Sequence, residues 1–218
     1  MDIQNKYDLW LEKVKDETLL NELKTMDDKQ KEDAFYKDLS FGTGGLRGIL
    51  GAGTNRMNIY VVAKASQGLA NYLNKHYDNP SICIGYDTRI NSDLFSKVAA
   101  EVFSNNNIKV YLYDKPLPVP TVSFGTRHLK CDAGVMITAS HNPSKYNGYK
   151  VYGNDGCQIT TNAAKEILEE INQIDEFKVE RKDFNNNELI EMISEDVLTA
   201  FIEEVKAQSF LYGEAINK

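Results

Sequence analysis

Cysteine, histidine and tryptophan are scarce: 218 residues hold three, three and one of them. Cys83, Cys131 and Cys157 are odd in number and show neither CxxC nor Cys/His spacing, which excludes a disulfide framework and a zinc site of the usual pattern. They read as small buried hydrophobes at strand ends. Long apolar runs are missing as well. None approaches the roughly 18 residues that a membrane span needs, so no membrane partner is expected. The N-terminal stretch MDIQNKYDLWLEKVKDE is too charged for a signal-peptide core, and a cytoplasmic protein is expected. Two further absences narrow the chemistry: there is no GxxxxGK[ST] phosphate loop and no GxSxG nucleophile elbow.

Positive charge is in short supply overall, with a net charge of -7, yet it is concentrated. Residues 1–40 carry 7 basic and 11 acidic groups, residues 41–160 carry 12 and 7, and residues 161–218 carry 6 and 14. A basic centre flanked by acidic ends suits a small anionic ligand; nucleic acid would ask for a basic face over a whole domain. No nucleic-acid partner is expected.

What is present is an alternation of periods. Residues 1–38 read as helical, and FGTGGLRGILGAG then breaks the pattern as a loop. NIYVVAKASQGLANYLNKHY reads as a helix, ICIGY as a strand, and NSDLFSKVAAEVFSNNN as a helix capped by Asn91 or Ser92. IKVYLY follows as a strand, DKPLPVP as a turn, TVSFGTRHL as a short helix and AGVMIT as a strand. FNNNEL marks a loop near 184–189. A last amphipathic helix runs through SEDVLTAFIEEVKAQSFLYG from a cap at Ser194. Such alternation argues an open, mostly parallel sheet with helices on both faces, whose ligands gather at the C-terminal ends of the strands.

Three polar segments adjoin element ends: FGTGGLRG at 41–48, GYDTR at 85–89 and TASHNP at 138–143. The glycines of the first permit close approach to an anion and Arg47 adds a guanidinium fork, although a surface turn explains the glycines equally. Asp87 and Arg89 fit a site or a simple strand-end ion pair. The third is the most specific. Ser140, between Ala139 and His141 and stopped by Pro143, stands on a turn among donors, with Lys145 and Lys150 close behind. A Ser-His-Asp triad is a poor fit, because the imidazole neighbours the serine in sequence instead of arriving from elsewhere. A phosphate-carrying serine needs cations around it and an acid/base group, and this stretch supplies both. The alternative is a turn or capping serine.

In this order, FGTGGLRG, GYDTR and TASHNPSKYNGYKVY resemble the first domain of the alpha-D-phosphohexomutases, the phosphoglucomutases and phosphomannomutases. FGTGGLRGILGAGTNRMN is most similar to the branch of bacterial phosphoglucomutases and phosphopentomutase-type enzymes. The resemblance covers roughly residues 40–205. It implies an α/β fold, a three-layer α/β/α sandwich with a mostly parallel mixed sheet. The chain would divide into an N-terminal helical extension (1–40), the catalytic phosphoserine domain (41–205) and the start of a linker (206–218).

The resemblance further implies that Ser140 is phosphorylated and binds Mg2+ through that phosphate, with Arg47 beside the transferring group, Lys150 as general base or acid and His141 assisting. Thr43, Gly44, Arg89, Asn142 and Lys145 would contact phosphate or substrate. Hexose phosphates would be the small-molecule partners and glucose 1,6-bisphosphate the activator. The family's Asp-Gly-Asp-Gly-Asp-Arg magnesium loop, sugar-recognition loop and distal phosphate segment are absent from the 218 residues. Those elements belong to the family's later domains. The chain is therefore expected to be an isolated first domain, a fragment or truncated product that folds alone without catalysing. A non-catalytic phosphosugar-binding or regulatory domain is the alternative.

Overall fold

Three aspartates start the chain's first three helices, each in extended backbone with its carboxylate accepting a helix amide: Asp2 before α1 (Ile3–Lys13), Asp16 before α2 (Glu17–Thr25) and Asp27 before α3 (Asp28–Phe35). The helical reading of residues 1–38 is thus met by three short helices, broken where Val14 and Met26 turn extended. A computed structural model describes residues 2–209. The expected linker beyond 209, and the end of the last helical stretch, lie outside the described residues.

Next come β1 (Leu46–Ile49), α4 (Ile59–His76), β2 (Ser81–Tyr86), α5 (Ser92–Asn105), β3 (Lys109–Leu112), α6 (Pro120–His128) and β4 (Ala133–Ile137). The chain closes with β5 (Tyr146–Gly153), α7 (Thr161–Asn172), β6 (Ile190–Met192) and α8 (Glu195–Ala207). The strands form one sheet in the order β1-β5-β4-β2-β3-β6. β4, β2, β3 and β6 pair in parallel, while β5 is antiparallel to β4 and to β1. Helices α4, α5 and α7 pack together over one face, and α6 and α8 over the other. This is the expected three-layer α/β/α sandwich with a mostly parallel mixed sheet.

Two readings change. FGTGGLRGILGAG is not loop throughout, because Leu46–Ile49 pairs with β5 as an edge strand. Its glycines mask a strand whose Leu46 and Gly48 point inward, Gly48 against Leu39. The stretch SKYNGYK likewise leaves the loop at Tyr146, so Lys150 stands in mid-strand, opposite Met136 of β4. Gly and Asn lowered the apparent strand character there. Asn147, however, is buried and hydrogen-bonded, and Gly148 lets backbones meet: a Cβ there would lie 2.6 Å from the Thr138 carbonyl and 2.8 Å from that of Leu46.

The core is largest on the α4/α5/α7 side, where Leu69, Ile84, Phe103, Tyr149 and Ile167 are sealed from solvent. The N-terminal helices join it through Trp10, whose ring packs edge-on against Phe35, Tyr60 and Phe177. One ammonium stitches this corner: Lys64 of α4 lies 3.1 Å from Glu176 and 3.7 Å from Asp38, while Trp10 Nε1–H donates to Glu176. The smaller core under α6 and α8 holds Cys83, Tyr113, Val122, Cys131 and Met136.

Cys83 and Cys131 are buried as expected, but Cys157 is exposed in the turn after β5. Burial pushes the Cys131 thiol up to about 12 and raises Cys83 well above its ordinary value. Iodoacetamide at pH 8 should therefore alkylate Cys157 alone in the folded chain and all three cysteines in denaturant. Mass spectrometry showing folded-state labelling at Cys131 would contradict this packing.

Candidate functional site: the serine loop on the sheet rim

The site stands where parallel α/β sheets place ligands, at the C-terminal end of β4. There the chain turns back on itself, and residues 138–145 connect β4 to its antiparallel neighbour β5. Thr138 and Ala139 remain buried; Ser140 and His141 emerge to solvent. Ser140 adopts φ 56, the left-handed region that non-glycine residues rarely occupy and that costs on the order of 1–3 kcal/mol. Its neighbours compensate. The Thr138 Oγ1 accepts the Ser140 amide at 2.9 Å and donates to Asp87 Oδ2 at 2.5 Å, and the Ala139 carbonyl accepts the Asn142 amide at 3.1 Å.

Arg89 holds the loop from behind. One terminal nitrogen donates to the carbonyls of Pro143 (3.2 Å) and Tyr146 (3.1 Å), the other to those of Ser140 (2.6 Å) and Asn142 (2.7 Å). Its Nε lies 3.5 Å from Asp87 Oδ2. A guanidinium has five donors, and here they are turned into the loop and Asp87, away from the solvent where a substrate phosphate would arrive. Arg89, for which the resemblance implied a contact with phosphate or substrate, is engaged in this geometry with four backbone carbonyls of the loop.

The remaining cations face outward. Arg47, exposed on β1, donates to the Asn142 side-chain oxygen at 2.9 Å and so reaches across to the serine loop. β1 and β5 place Arg47 opposite Gly148, which puts it on the same sheet face as Lys150, two residues along. Lys150 is half-buried and makes no hydrogen bond or ion pair among the described residues. Lys145 is exposed, its ammonium 5.8 Å from the centre of the Tyr146 ring. His141 Nδ1 lies 3.3 Å from Ser140 Oγ. Serine, imidazole, guanidinium and the loop lysine are therefore gathered at one rim.

Thr43 and Gly44 sit elsewhere in the local architecture. They form the exposed tip of a turn whose flanks, Gly42 and Gly45, exchange both backbone hydrogen bonds. The turn lies flat against β5, because Gly45 has φ 78 and a Cβ there would fall 1.8 Å from the Tyr149 carbonyl oxygen. This brings Gly45, at the base of the turn, alongside the Lys150 backbone. Sequence reasoning passed over the residues underneath: Thr138, Ser92 and Asn147, which carry the polar support of the loop. Their signal was small hydroxyl and amide residues directly beside a strand end.

A serine with positive φ on an exposed turn, with an imidazole 3.3 Å away and a guanidinium bonded to the same loop, thus stands at the C-terminal rim of an α/β/α sheet. Residues 38–178 match the family described as phosphoglucomutase/phosphomannomutase, alpha/beta/alpha domain I. The chain belongs to that family. A phosphoglucomutase of Staphylococcus saprophyticus is 39% identical over 203 residues, covering 91% of this chain and 37% of the relative. That of Staphylococcus aureus strain USA300 is 42% identical over 167 residues, covering 75% of this chain and 30% of its own length. A putative phosphomannomutase from Thermus thermophilus superposes with a TM-score of 0.67 at 27% identity, over 78% of this chain and 36% of that one. The chain thus spans about a third of the length of these relatives.

Arg89→Ala should free the loop without unfolding the sheet. Hydrogen bonds from a charged donor contribute about 1.5–3 kcal/mol each, so amide exchange across residues 140–146 should rise by at least about tenfold, while β2 and β4 stay protected. Exchange unchanged in the loop would show that the grip is not what orders it.

Proposed function

We propose that this chain is the phosphoserine-bearing domain of a phosphoglucomutase, which interconverts glucose 1-phosphate and glucose 6-phosphate through a bisphosphate intermediate. The observation that carries the reading is Ser140: exposed, on a strained turn, with His141 Nδ1 at 3.3 Å and Arg47 tied to the same loop through Asn142. The names of the relatives support the substrate class.

In this reading the phosphoryl group leaves the Ser140 oxygen as it bonds to a free sugar hydroxyl. Lys150, as the neutral amine, takes that hydroxyl's proton, and protonated His141 returns one to the serine oxygen. The bisphosphate then turns over, and the second phosphoryl group comes back to Ser140 by the reverse steps. Arg47 and Lys145 offset charge on the transferring oxygens, which is where catalysis of phosphoryl transfer chiefly lies.

Mg2+ is implied by the family resemblance, but among the described residues no three His, Cys, Asp or Glu side chains converge on one point. Those residues alone do not make an octahedral site, and no step above passes through the metal.

Incubation with glucose 1,6-bisphosphate should make a fraction of the chain heavier by one phosphoryl group, mapped to Ser140. Phosphate on Ser144 instead would overturn the assignment to Ser140, and an unmodified chain that still binds hexose phosphate would favour a mere binding domain. Lys150→Met should slow this uptake by about 10²–10⁴-fold, the usual contribution of a general acid or base, and Arg47→Ala should slow it too. A coupled mutase assay on the purified chain, with Mg2+ and glucose 1,6-bisphosphate, should show no sustained turnover alongside a cooperative thermal transition. Turnover near that of a full-length mutase would overturn the reading that the rest of the site lies outside these residues.

A further inference from the structure

Below the serine loop runs a chain of buried and half-buried polar groups that the proposed chemistry leaves unused. Asn147 is sealed in β5; its amide nitrogen donates to Ser92 Oγ at 3.0 Å and to the Ile90 carbonyl at 3.0 Å, and its oxygen accepts the Gly148 amide at 2.7 Å. Ser92 Oγ–H donates to Asp87 Oδ1 at 2.9 Å, and the Arg89 amide donates to the same oxygen at 3.0 Å. Asp87 Oδ2 takes the Thr138 hydroxyl at 2.5 Å, and Thr138 Oγ1 takes the Ser140 amide at 2.9 Å. Thr138 is 2% exposed. Four elements meet in this chain: the ends of β2 and β4, the start of α5 and the start of β5.

The direction of each bond is fixed by what its neighbour can do. Asp87, when ionised, only accepts, so the hydroxyls of Ser92 and Thr138 must both point their single protons at it. That commitment leaves the Thr138 oxygen lone pairs free, and one of them receives the Ser140 amide. A threonine hydroxyl left to rotate would serve that amide part of the time; one locked by a carboxylate at 2.5 Å serves it continuously. With the Ser140 carbonyl held by Arg89 at 2.6 Å, the amide bond to Thr138 fixes the other side of the residue at φ 56, and with it the direction in which Oγ leaves the rim.

We infer that Asp87 and Thr138 are positioning residues for the Ser140 hydroxyl: Asp87 locks the Thr138 hydroxyl, which holds Ser140 in its left-handed conformation and aims Oγ toward His141 and the outer cations. The inference builds on the reading of Ser140 as the phosphate carrier, while its structural half stands apart from that reading. It also accounts for selection between neighbouring hydroxyls. Ser144 shares the loop, but no such relay reaches it among the described residues, so its hydroxyl is not aimed.

The test uses Thr138→Val, Thr138→Ser and Asp87→Asn in the intact chain. Valine keeps the shape and removes the hydroxyl, serine restores it, and asparagine keeps the size of Asp87 while removing its charge. Two readouts are compared in each variant. Solution NMR reports the exchange rate of the Ser140 amide and the amide-to-Hα coupling that senses φ; mass spectrometry reports the rate of phosphoryl uptake from glucose 1,6-bisphosphate at Ser140 and at Ser144.

The expected result is that Thr138→Val raises Ser140 amide exchange by at least about tenfold and moves its coupling, with uptake at Ser140 falling by a similar factor and Ser144 gaining relative to it. Thr138→Ser should restore the native values, and Asp87→Asn should fall between. A merely structural contribution would lower the melting temperature of Thr138→Val while leaving the Ser140 coupling and the Ser140-to-Ser144 ratio where they were, and would overturn the inference. If Thr138→Val does not fold, Asp87→Asn decides by the same two measures. Should the unmodified chain take up no phosphate at all, the carrier reading fails, and the NMR measurements still decide whether Asp87 and Thr138 set the conformation of Ser140.

Discussion

The Arg89 guanidinium, seated under residues 140–146, is the contact on which the rest of the rim depends. A loop that reverses between two adjacent antiparallel strands turns several carbonyls toward its own concave side, where no sheet partner can reach them. One planar group with five donors answers four of those carbonyls at once. Asp87 balances its charge and at the same time receives two side-chain hydroxyls. The loop is thereby ordered from its interior, and its outer side carries few intramolecular bonds, the Arg47–Asn142 and His141–Ser140 contacts among them. A short segment full of polar residues can in this way be both well placed and open to ligand.

Much of this was legible in the sequence. The helix-strand alternation from Asn58 onward pointed to the parallel strands, because apolar runs such as AGVMI are buried on both faces and read as unbroken. The serine stood out because its company is unusual for a turn. Less legible were β1 and β5. In both, a glycine inside the strand serves close approach instead of chain reversal: Gly148 lets Thr138 and Leu46 crowd it, and Gly48 packs on Leu39. A pattern of side-chain periodicity cannot register a residue whose purpose is to have none. Arg89 was visible as a cation at a strand end, yet which way its donors point depends on a loop more than 50 residues later.

The N-terminal helices illustrate a different limit. Their charge pattern marked them as helical without showing how they pack, and Trp10 is almost wholly buried against α4 and the segment after α7. Lys64 explains how a charge can sit at that seam. It is only 16% exposed, and two carboxylates from different segments share it. The buried pair is Lys64 with Glu176, while Asp38 is 56% exposed. The N-terminal helices are therefore coupled to the sandwich chiefly by Trp10, through its ring contacts and its hydrogen bond to Glu176.

The amides of the serine loop bear on how a phosphate could be held there. The nitrogens of Ser140 and Asn142 are both bonded inward, to Thr138 and Ala139, so neither is offered to an anion as the amides of a phosphate-binding nest would be. What faces outward is the ends of long side chains: Arg47, Lys145 and His141. Backbone amides make a rigid cradle that suits one position of a phosphate and resists its departure. Side chains with several rotatable bonds can follow a group as it moves by a bond length. In the role proposed for Ser140, such a surround would hold the phosphoryl group comparably well on the serine and on the sugar, a compliance suited to a group that is lent and returned.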